Sequence, residues 1–391
     1  MPTMLAEFLP SIESIDREHW QALWASDYPF VQYDFLLALE QSGSVSKASG
    51  WIPHHLLIWS GEVPEEKGEL ILAMPLYIKS HSYGEYVFDW AWADAYHRYG
   101  RDYYPKLLNA IPFTPATGPR FALKEGLDAE LFSEILIGQL KEESQRLGAS
   151  SFHSLFPKAK QLELLENNRD ILQRDAVQFH WMNDNYIDFD DFLSTFKSRK
   201  RKSLKSERRK VTQQGVEMRR VEGVDITDEQ WHQFYHCYHL TYLKRSGRQG
   251  YLNREFFQRL AESCRESVMM VQAFYDGQMV AGALYFKDSQ TLFGRYWGCL
   301  DQFDALHFEA CYYQGIEYAI ENQLKKFDPG AQGEHKIQRG FIPSFVHSLH
   351  WIAADEFRPA IADFLNQEKE HIQMYQKDAE TYLPFKEVDN K

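Results

Sequence analysis

The sequence predicts an α/β protein made of two copies of one fold, a mixed and mostly antiparallel sheet flanked by helices. The chain has 391 residues, too many for a single ordinary core and enough for two. Each half shows the same order of elements: a three-strand meander, a helix and a further strand. A short sequence motif also recurs: residues 76–79 (LYIK) and 284–287 (LYFK) occupy the same place in the two meanders. We therefore expect an N-terminal domain over residues 1–182 and a C-terminal domain over residues 183–391.

The first half is predicted to contain two helices, three meander strands, a long helix and a strand. Their expected positions are 17–24 and 33–42 for the helices, 55–59, 70–79 and 86–92 for the meander, 127–147 for the long helix and 151–156 for the strand. Gly148 is typical of a residue that ends a helix. The Pro/Gly segment 113–120 cannot be helical and is expected to line a surface.

The second half is predicted to repeat this order after a basic helix over residues 198–216. Thr227 and Gln230 form a capping-box pattern that begins a second helix. Asp276-Gly277 predicts the hairpin turn of the meander. The remaining elements are expected at 268–275, 279–287 and 291–297 for the strands, 305–324 for the helix, 326–328 for the returning strand, and 355–382 for a last helix with Phe357, Ile361, Phe364 and Leu365 on one side.

Composition excludes several classes of protein. The formal net charge of -13 argues against a general coat for DNA or an anionic membrane, so any polyanion site must be local. The longest apolar run, near residues 70–78, is too short to span a bilayer. The four cysteines show no CxxC spacing and all lie in the second half, which favours reduced thiols. We expect a cytoplasmic protein with no membrane span and no DNA partner.

The segment 327–341, which follows the predicted returning strand, is dense in reactive groups. Gly330, Gly333 and Gly340 allow tight turns or close approach to a ligand. Between them lie a carboxylate, an imidazole, an ammonium and a guanidinium: Glu334, His335, Lys336 and Arg339. Such a loop is either a solvated surface loop or a site.

Several segments carry a resemblance to a known family. They are GEYVFDW at 84–90, PFTPA at 112–116, QFHW at 178–181, SRKRK at 198–202, LFGRYWG at 292–298, LHFE at 306–309 and GAQGEHK at 330–336. With them the chain resembles the FemAB-like branch of predicted N-acyltransferases, and more distantly the Fem-type peptidyltransferases of bacterial cell-wall synthesis. The resemblance implies two tandem GNAT-like domains. It also implies an acyl-CoA or aminoacyl-tRNA co-substrate, with no bound cofactor.

The Fem enzymes open their second domain with a basic helix and close the fold with a Phe-Lys-x-Gly-Phe signature whose lysine faces substrate phosphates. Residues 198–216 resemble the first feature, and Lys336 followed by Gly340-Phe341 resembles the second. Here the gap between lysine and glycine is longer, and His335 stands where the Fem enzymes have an aromatic residue. An amine substrate, either a small molecule or a peptide, is expected, with tRNA as a further partner.

Acyl transfer to an amine needs a base, hydrogen-bond donors for the carbonyl oxyanion and a binding site for the phosphates of the acyl donor. For the base we favour His335 and Glu334, with Glu309 second. In a GNAT-like site the oxyanion donor is a backbone N–H where the third meander strand splays, here near residues 296–298. Substrate and donor binding are assigned to Lys336, Arg339, Trp297, His307, Arg199, Lys200 and Arg201, and in the first domain to Asp89, Arg120 and His153. For the base candidates the alternative is a surface or structural role, and for the first-domain residues it is a buried role with satisfied hydrogen bonds.

Three further alternatives stay open at this stage. Acidic residues of the first domain, Glu163 and Glu166, would pair with the basic helix if it were only an interface. His232, His236 and His239 share one helix face and would suit a metal, although the helix is largely aromatic. With a metal at these histidines the protein would be a metalloenzyme. The third alternative is a non-catalytic protein that binds a peptidoglycan precursor or a charged tRNA. We favour an N-acyltransferase with no metal.

Overall fold

A computed structural model describes residues 4–61, 68–126, 129–331 and 333–387, and side chains 129–131 are not described. The chain divides into two compact units. Unit 1 comprises Met1–Ala176 and Phe345–Gln373, and unit 2 comprises Val177–Ser344 and Met374–Lys391. A boundary between independently folding domains at residue 182 stays a prediction. Over the described ranges, no helix is long and apolar enough to cross a membrane.

Residues 4–182 alternate between short strands and helices. The elements are β1 (Met4–Leu9), α1 (Arg17–Trp24), α2 (Tyr33–Gln41), β2 (Trp51–Pro53), β3 (His55–Ser60), β4 (Leu70–Met74), β5 (Tyr77–Lys79), α3 (Trp90–Arg98), β6 (Lys106–Asn109), β7 (Ala122–Leu123), α4 (Ala129–Leu147), β8 (Ser151–Leu155), α5 (Ala159–Glu166) and β9 (Leu172–Met182).

The remainder of the chain begins with helices and continues through a meander. The elements are α6 (Phe189–Ser194), α7 (Ser198–Gln213), β10 (Glu217–Glu222), α8 (Asp228–Ser246), α9 (Arg254–Ser263), β11 (Val268–Tyr275), β12 (Gln278–Lys287), β13 (Thr291–Cys299), α10 (Leu306–Phe308), a π-helical turn (Glu309–Tyr313), α11 (Gln314–Glu321), β14 (Lys326–Asp328), β15 (Ile342–Ile352) and α12 (Arg358–Thr381).

Unit 1 contains two sheets. The strands β1, β3, β4 and β7 form one antiparallel sheet in that order. The strands β2, β5, β6, β8 and the unit 1 part of β15 form the other, in which only the β6–β8 pair is parallel. The expected single strand over 70–79 is therefore wrong. It is divided at Pro75, which has no backbone N–H, and the two parts pair in different sheets.

The expected strand over residues 86–92 is also wrong, because the segment before Trp90 is a loop and α3 begins there. Alternating aromatic residues gave this stretch the pattern of a strand. In the structure Glu85 and Asp89 turn inward to the ammonium of Lys106, and both carboxylates are buried. The loop is thus fixed by ionic contacts instead of a ladder of backbone hydrogen bonds.

Unit 2 is built on one sheet with the strand order β10, β11, β12, β13, β14 and the unit 2 part of β9. Only the β13–β14 pair is parallel, as expected for a helix-linked return beside the last meander strand. The predicted meander and its turn are confirmed, since Asp276 and Gly277 have φ values of 49° and 75°. The core on one face holds aromatic residues such as Trp181, Tyr285, Tyr313 and Phe327.

The helices of the second half agree with the sequence in position and differ in detail. The capping box at Thr227 is present. The helix expected over 305–324 is interrupted by the π-helical turn, a distortion that often occurs at functional sites. Ile361 and Leu365 on α12 are buried, as is Phe357 directly before it, whereas Phe364 is 41% exposed and does not belong to the packed face.

Candidate functional site

The loop that follows β14 folds around the backbone of Gly330. Asp328 Oδ1 accepts the Gly330 N–H at 2.9 Å, and the Lys336 ammonium donates to the Gly330 carbonyl at 2.6 Å. Both side chains are buried. The φ values of Gly330 and Gly333, 90° and 101°, lie in the region that favours glycine. Beyond Gly333, residues Glu334–Arg339 form a short 3-10 helix.

Asp328 is held by cationic and imidazole side chains. Arg295 lies 3.1 Å from Asp328 Oδ2, and His180 Nε2 lies 3.8 Å from the same oxygen. Burial alone would raise the pKa of the Asp328 carboxyl, but the Arg295 guanidinium and its neighbours hold that pKa well below its ordinary value. Burial lowers the pKa of His180 to about 3, so this imidazole is neutral at pH 7.

Lys336 occupies the interior of the loop. Burial lowers the pKa of its ammonium to about 8, against the opposing charge of Asp328. Its hydrogen bond to Gly330 directs it towards the backbone of its own loop. The described contacts of Lys336 are therefore those of a residue that holds the loop in shape, and its assignment to the donor's phosphates stays a prediction.

His335 lies at the exposed tip of this loop. Its Nε2 is 2.8 Å from the hydroxyl of Tyr312, which belongs to the π-helical turn. A Cβ atom on Gly333 would lie 2.6 Å from the His335 Cε1, so the ring uses the space left by the glycine. Burial, then Arg339 and Lys336, lower the pKa of His335 below its ordinary 6.5. The imidazole is neutral at pH 7.

Aromatic and imidazole rings surround His335. The ring of His307 lies 6.2 Å from it, between Trp297 at 5.4 Å and Tyr312 at 5.4 Å. Burial lowers the pKa of His307 to about 4. The structure thus brings together three of the predicted site residues, His335, His307 and Trp297, around Tyr312, which the sequence did not single out.

Arg339 and Glu334 face other neighbours. The Arg339 guanidinium stacks 3.4 Å from the ring centre of Phe308 and binds Glu207 at 2.9 Å. It also donates to the backbone carbonyl of His335 at 2.7 Å, so it fixes the residue that carries the imidazole. Glu334 is exposed and accepts a hydrogen bond from the hydroxyl of Tyr375 at 2.8 Å.

Glu309 contacts neither Glu334 nor His335 among the described hydrogen bonds. Its carboxylate is buried and accepts from Arg208, at 2.9 and 3.0 Å, and from Gln314 at 2.7 Å. Arg208 also binds Glu317 at 2.6 Å. These contacts make Glu309 the centre of an ion cluster at the π-helical turn, which the sequence could not show because Arg208 lies 101 residues away.

The third meander strand departs from regular pairing, as the fold resemblance implies. The register of β12 with β13 shifts between Leu284 and Tyr285, which pair with Tyr296 and Gly294. Arg295 is the extra residue of this bulge. The irregularity lies next to the expected segment 296–298 and on the strand that carries Trp297.

The basic helix is confirmed as α7. Lys205 pairs with Asp190 at 2.7 Å, Arg208 joins the Glu309 cluster, and Lys200 donates to Gln338. These partners all belong to unit 2, whereas the alternative partners Glu163 and Glu166 belong to unit 1. Arg199 is exposed and Arg201 is half-buried, and neither forms an ion pair with the part of unit 2 that the structure describes.

The three residues predicted in the first domain are buried in unit 1. Arg120 is fully buried and donates to the carbonyls of Leu155 and Ala116. Its guanidinium connects the backbones of these two segments and is not accessible from the surface. Its assignment to substrate binding is not supported by these contacts.

Asp89 and His153 belong to a buried chain of polar groups that the sequence did not reveal. Asp89 binds Lys106 and accepts from Tyr103 at 2.7 Å, and His153 Nδ1 lies 2.6 Å from His350 Nδ1. Burial raises the pKa of Glu85, which also binds Lys106, to about 7. Burial lowers the pKa of His153 well below its ordinary value, so this histidine is neutral.

Two of the three histidines of α8 contact other side chains. His232 Nε2 accepts from Arg254 at 2.9 Å, and the His239 ring contacts Tyr235. No group of three or more potential metal ligands occurs in the described part of the chain.

Comparisons with known proteins extend these observations. A family model, FemAB-like, described as peptidoglycan biosynthesis/recognition, matches residues 11–387. No curated protein is similar enough in sequence to match the chain. The crystal structure of FemX is similar at 13% identity and a TM-score of 0.50, over 88% of this chain and 98% of that one.

Two further solved structures are less similar. One is the C-terminal domain of a putative lysylphosphatidylglycerol synthetase from Agrobacterium fabrum, at 10% identity and a TM-score of 0.49, over 92% of this chain and 97% of that one. The other is a tandem GNAT protein from the clavulanic acid biosynthesis pathway, at 9% identity and a TM-score of 0.47, over 90% of this chain and 99% of that one. The likeness to FemX shows the fold, two tandem GNAT-like domains.

Proposed function

Since the chain belongs to the FemAB-like family of peptidoglycan biosynthesis and recognition, we propose that it transfers an acyl or aminoacyl group from a phosphate-bearing donor to an amine. The donor is an acyl-CoA or an aminoacyl-tRNA. The acceptor is the amine of a small molecule or peptide, of which a cell-wall precursor is one case. The reaction takes place at the loop that carries His335.

The observation that supports this proposal best is a neutral imidazole held at the exposed tip of a fixed loop. When His335 Nε2–H donates to the Tyr312 hydroxyl, the lone pair of the ring lies on Nδ1. The lowered pKa keeps the ring unprotonated at pH 7. A neutral imidazole accepts a proton from an ammonium before attack, or from the amine as it attacks, as a general base does.

The proposed reaction balances without a redox partner. The acceptor nitrogen attacks the carbonyl carbon of the donor's ester or thioester, and a C–N bond forms. His335 takes the proton that the nitrogen loses. The C–O or C–S bond then breaks, and the protonated His335 returns this proton to the leaving alkoxide or thiolate, so that an amide, free tRNA or CoA and the neutral imidazole result.

Two other features supply the remaining requirements. The bulge at Arg295 makes the pairing of β13 with β12 irregular next to Trp297, where the resemblance to GNAT-like sites implies a backbone N–H donor for the carbonyl oxyanion. The α7 cations Arg199, Lys200 and Arg201 supply positive charge for the donor's phosphates in a chain whose net charge is -13.

The proposal is tested by measuring donor binding and turnover together. Acyl-CoA and aminoacyl-tRNA are titrated at two salt concentrations, and free thiol or deacylated tRNA is followed with a panel of amines. The variant Arg199→Glu/Lys200→Glu/Arg201→Glu is compared with Lys325→Glu/Lys369→Glu/Lys377→Glu, which makes the same charge change at exposed lysines elsewhere.

We expect one donor to bind, and binding to fall at least tenfold only in the α7 variant. Steep salt dependence identifies tRNA, because many phosphates are then neutralised, and weak salt dependence identifies CoA. The family description also includes recognition, which favours a second candidate, a non-catalytic binding protein. If a donor binds but no combination of donor and amine is turned over, the protein is a binding protein and the transferase proposal is wrong.

A further inference from the structure

A cavity of about 840 Å³ lies within unit 2, apart from the loop that carries His335. It is bounded by α6, α7, the start of β10 and the π-helical turn. A space of this size accommodates a small molecule or a short peptide. Its lining residues are Phe189, Asp190, Leu193, Lys205, Arg208, Arg209, Val211, Thr212, Val216, Glu217, Met218, Glu309 and Gln314.

The floor of the cavity is apolar. Phe189, Leu193, Val211 and Val216 are buried, and Met218 lies beside them half-buried. Phe189 also carries the Arg208 guanidinium 4.6 Å above its ring centre. An occupant that covers this floor with apolar groups removes water from it, and each buried methylene contributes about 0.8 kcal/mol.

The lining residue Glu309 belongs to an ion cluster with excess negative charge, whose second carboxylate, Glu317, lies outside the lining. Arg208 lies between Glu309 and Glu317, at 2.9 and 2.6 Å, so one guanidinium faces two carboxylates and the cluster has a net charge of −1. Gln314 donates to the same oxygen of Glu309 that accepts from Arg208, which leaves the second oxygen with Arg208 alone. A buried ion cluster of this kind contributes little net stability, because the cost of removing its charges from water offsets their mutual attraction. An ammonium group placed near it gains a favourable interaction.

The mouth carries an opposite charge. Arg209 is exposed and forms no ion pair among the described residues of unit 2. The other charged groups at the mouth are neutralised within unit 2, since Lys205 pairs with Asp190 and Glu217 pairs with Arg219. The cavity is therefore lined by one carboxylate of an anionic cluster, Glu309, by the guanidinium of Arg209 and by apolar side chains.

We propose that this cavity binds a zwitterion with apolar side chains, a free amino acid or a short peptide, whose ammonium faces Glu309 and whose carboxylate faces Arg209. The apolar side chains lie over Phe189 and Leu193. This site does not depend on the transfer reaction, because the charges and the floor that define it are separate from His335.

The proposal is tested by calorimetric titration of the purified chain with no donor present. The probes are leucine, trileucine, N-acetyl-trileucine and trileucine amide, which keep the apolar groups and remove one charge at a time. We expect a zwitterionic probe to bind and each blocked derivative to bind at least tenfold more weakly. Tighter binding of leucine identifies an amino acid as the ligand, and tighter binding of trileucine identifies a peptide.

Two matched pairs of variants locate the binding. Thr212 is an exposed residue of the lining, so Thr212→Trp fills the mouth without disturbing the core, and the adjacent exposed Gln213→Trp does not face the cavity. Arg209→Gln removes the free guanidinium, and Lys210→Gln removes a neighbouring charge outside the lining. We expect at least tenfold weaker binding in the first member of each pair only.

The proposal is overturned if neither leucine nor trileucine binds, or if the blocked derivatives bind as tightly as trileucine. It is also overturned if the two members of each variant pair behave alike, since binding then occurs elsewhere. These binding expectations do not depend on transferase activity. They hold if His335→Gln loses activity and also if the wild-type protein has no activity, so each of the two proposals can be refuted without the other.

Discussion

Asp328 and Lys336 bind the same residue, Gly330, at its N–H and at its carbonyl, 2.9 and 2.6 Å away. An anion and a cation, both buried, thus fix one peptide unit between a strand end and a short 3-10 helix. His335 precedes Lys336 directly. The position of the imidazole is therefore set by this pair of contacts and by the space over Gly333.

Asp328→Asn should destabilise the protein strongly. The change leaves the buried Arg295 guanidinium without its anion, which typically costs about 3–5 kcal/mol. Urea unfolding at pH 7 measures the loss, with Asp363→Asn on the exposed face of α12 as the control. Adding Arg295→Met to Asp328→Asn should recover part of the loss. An Asp328→Asn variant as stable as the control would show that the ion pair does not hold the loop.

Lys336→Met should change the dependence of stability on pH. The folded pKa of about 8 lies below the ordinary 10.5, so from pH 8 to pH 10.5 the unfolded chain holds a proton that the folded chain has lost. Stability attributable to Lys336 therefore rises over this window, by about 3 kcal/mol in total.

Urea unfolding of the wild type, Lys336→Met and the exposed control Lys325→Met at pH 7.5, 9 and 10 measures this effect. The difference between wild type and Lys336→Met should grow in favour of the wild type as pH rises. A constant difference, as we expect for Lys325→Met, would contradict the buried ammonium.

The sequence predicted the second half of the chain more accurately than the first. In unit 2 the meander, its hairpin turn and the returning strand all follow local signals: period-two apolar runs and an Asp-Gly pair. In unit 1 the aromatic alternation around residues 86–90 gave the same signal without a strand. There Lys106, about twenty residues away, fixes the segment through Glu85 and Asp89.

The sequence predicted which loop carries the candidate site, but not which side chains from other parts of the chain contact it. Glycines and charges identified the segment around His335, because composition is a local property. Tyr312 and Arg208 contribute through contacts 23 and 101 residues away in sequence, and a single sequence contains no record of such contacts. For the same reason Glu309 was grouped with His335, although its described partners lie in the ion cluster of the π-helical turn.

Gly333→Ala should displace the His335 ring in addition to straining the backbone. A Cβ at this position would lie 2.6 Å from the ring, and the backbone has a φ of 101°. Gly277→Ala is the matched control, with a φ of 75° and no atom within 4 Å of its added Cβ. We expect similar unfolding midpoints for both and at least a tenfold loss of turnover for Gly333→Ala alone. Equal turnover would show that the ring position does not matter.

Lys106→Met should be among the most destabilising changes in unit 1. The Lys106 ammonium is fully buried and binds Glu85 at 2.8 Å, Ser82 at 2.8 Å and Asp89. Its removal leaves the buried Asp89 without its cation and Glu85 with Lys79 alone, 4.0 Å away, at a cost of about 3–5 kcal/mol. Lys124→Met breaks an exposed pair with Glu69, for which about 0–1 kcal/mol is expected. Comparable unfolding midpoints for the two variants would contradict the buried network.

His335→Gln should lower turnover by about 10²–10³-fold with the donor that supports the reaction, because glutamine cannot accept the proton. The neutral imidazole is the active form, so in the wild type kcat/KM should be constant near pH 7 and fall with decreasing pH below 6.5, the ordinary value beneath which the His335 pKa lies. The variant should lose this acidic limb. The exposed His371→Gln on α12 should keep both rate and profile. An acidic limb that survives in His335→Gln would assign the base to another group, and Glu334→Gln would then be the variant to compare.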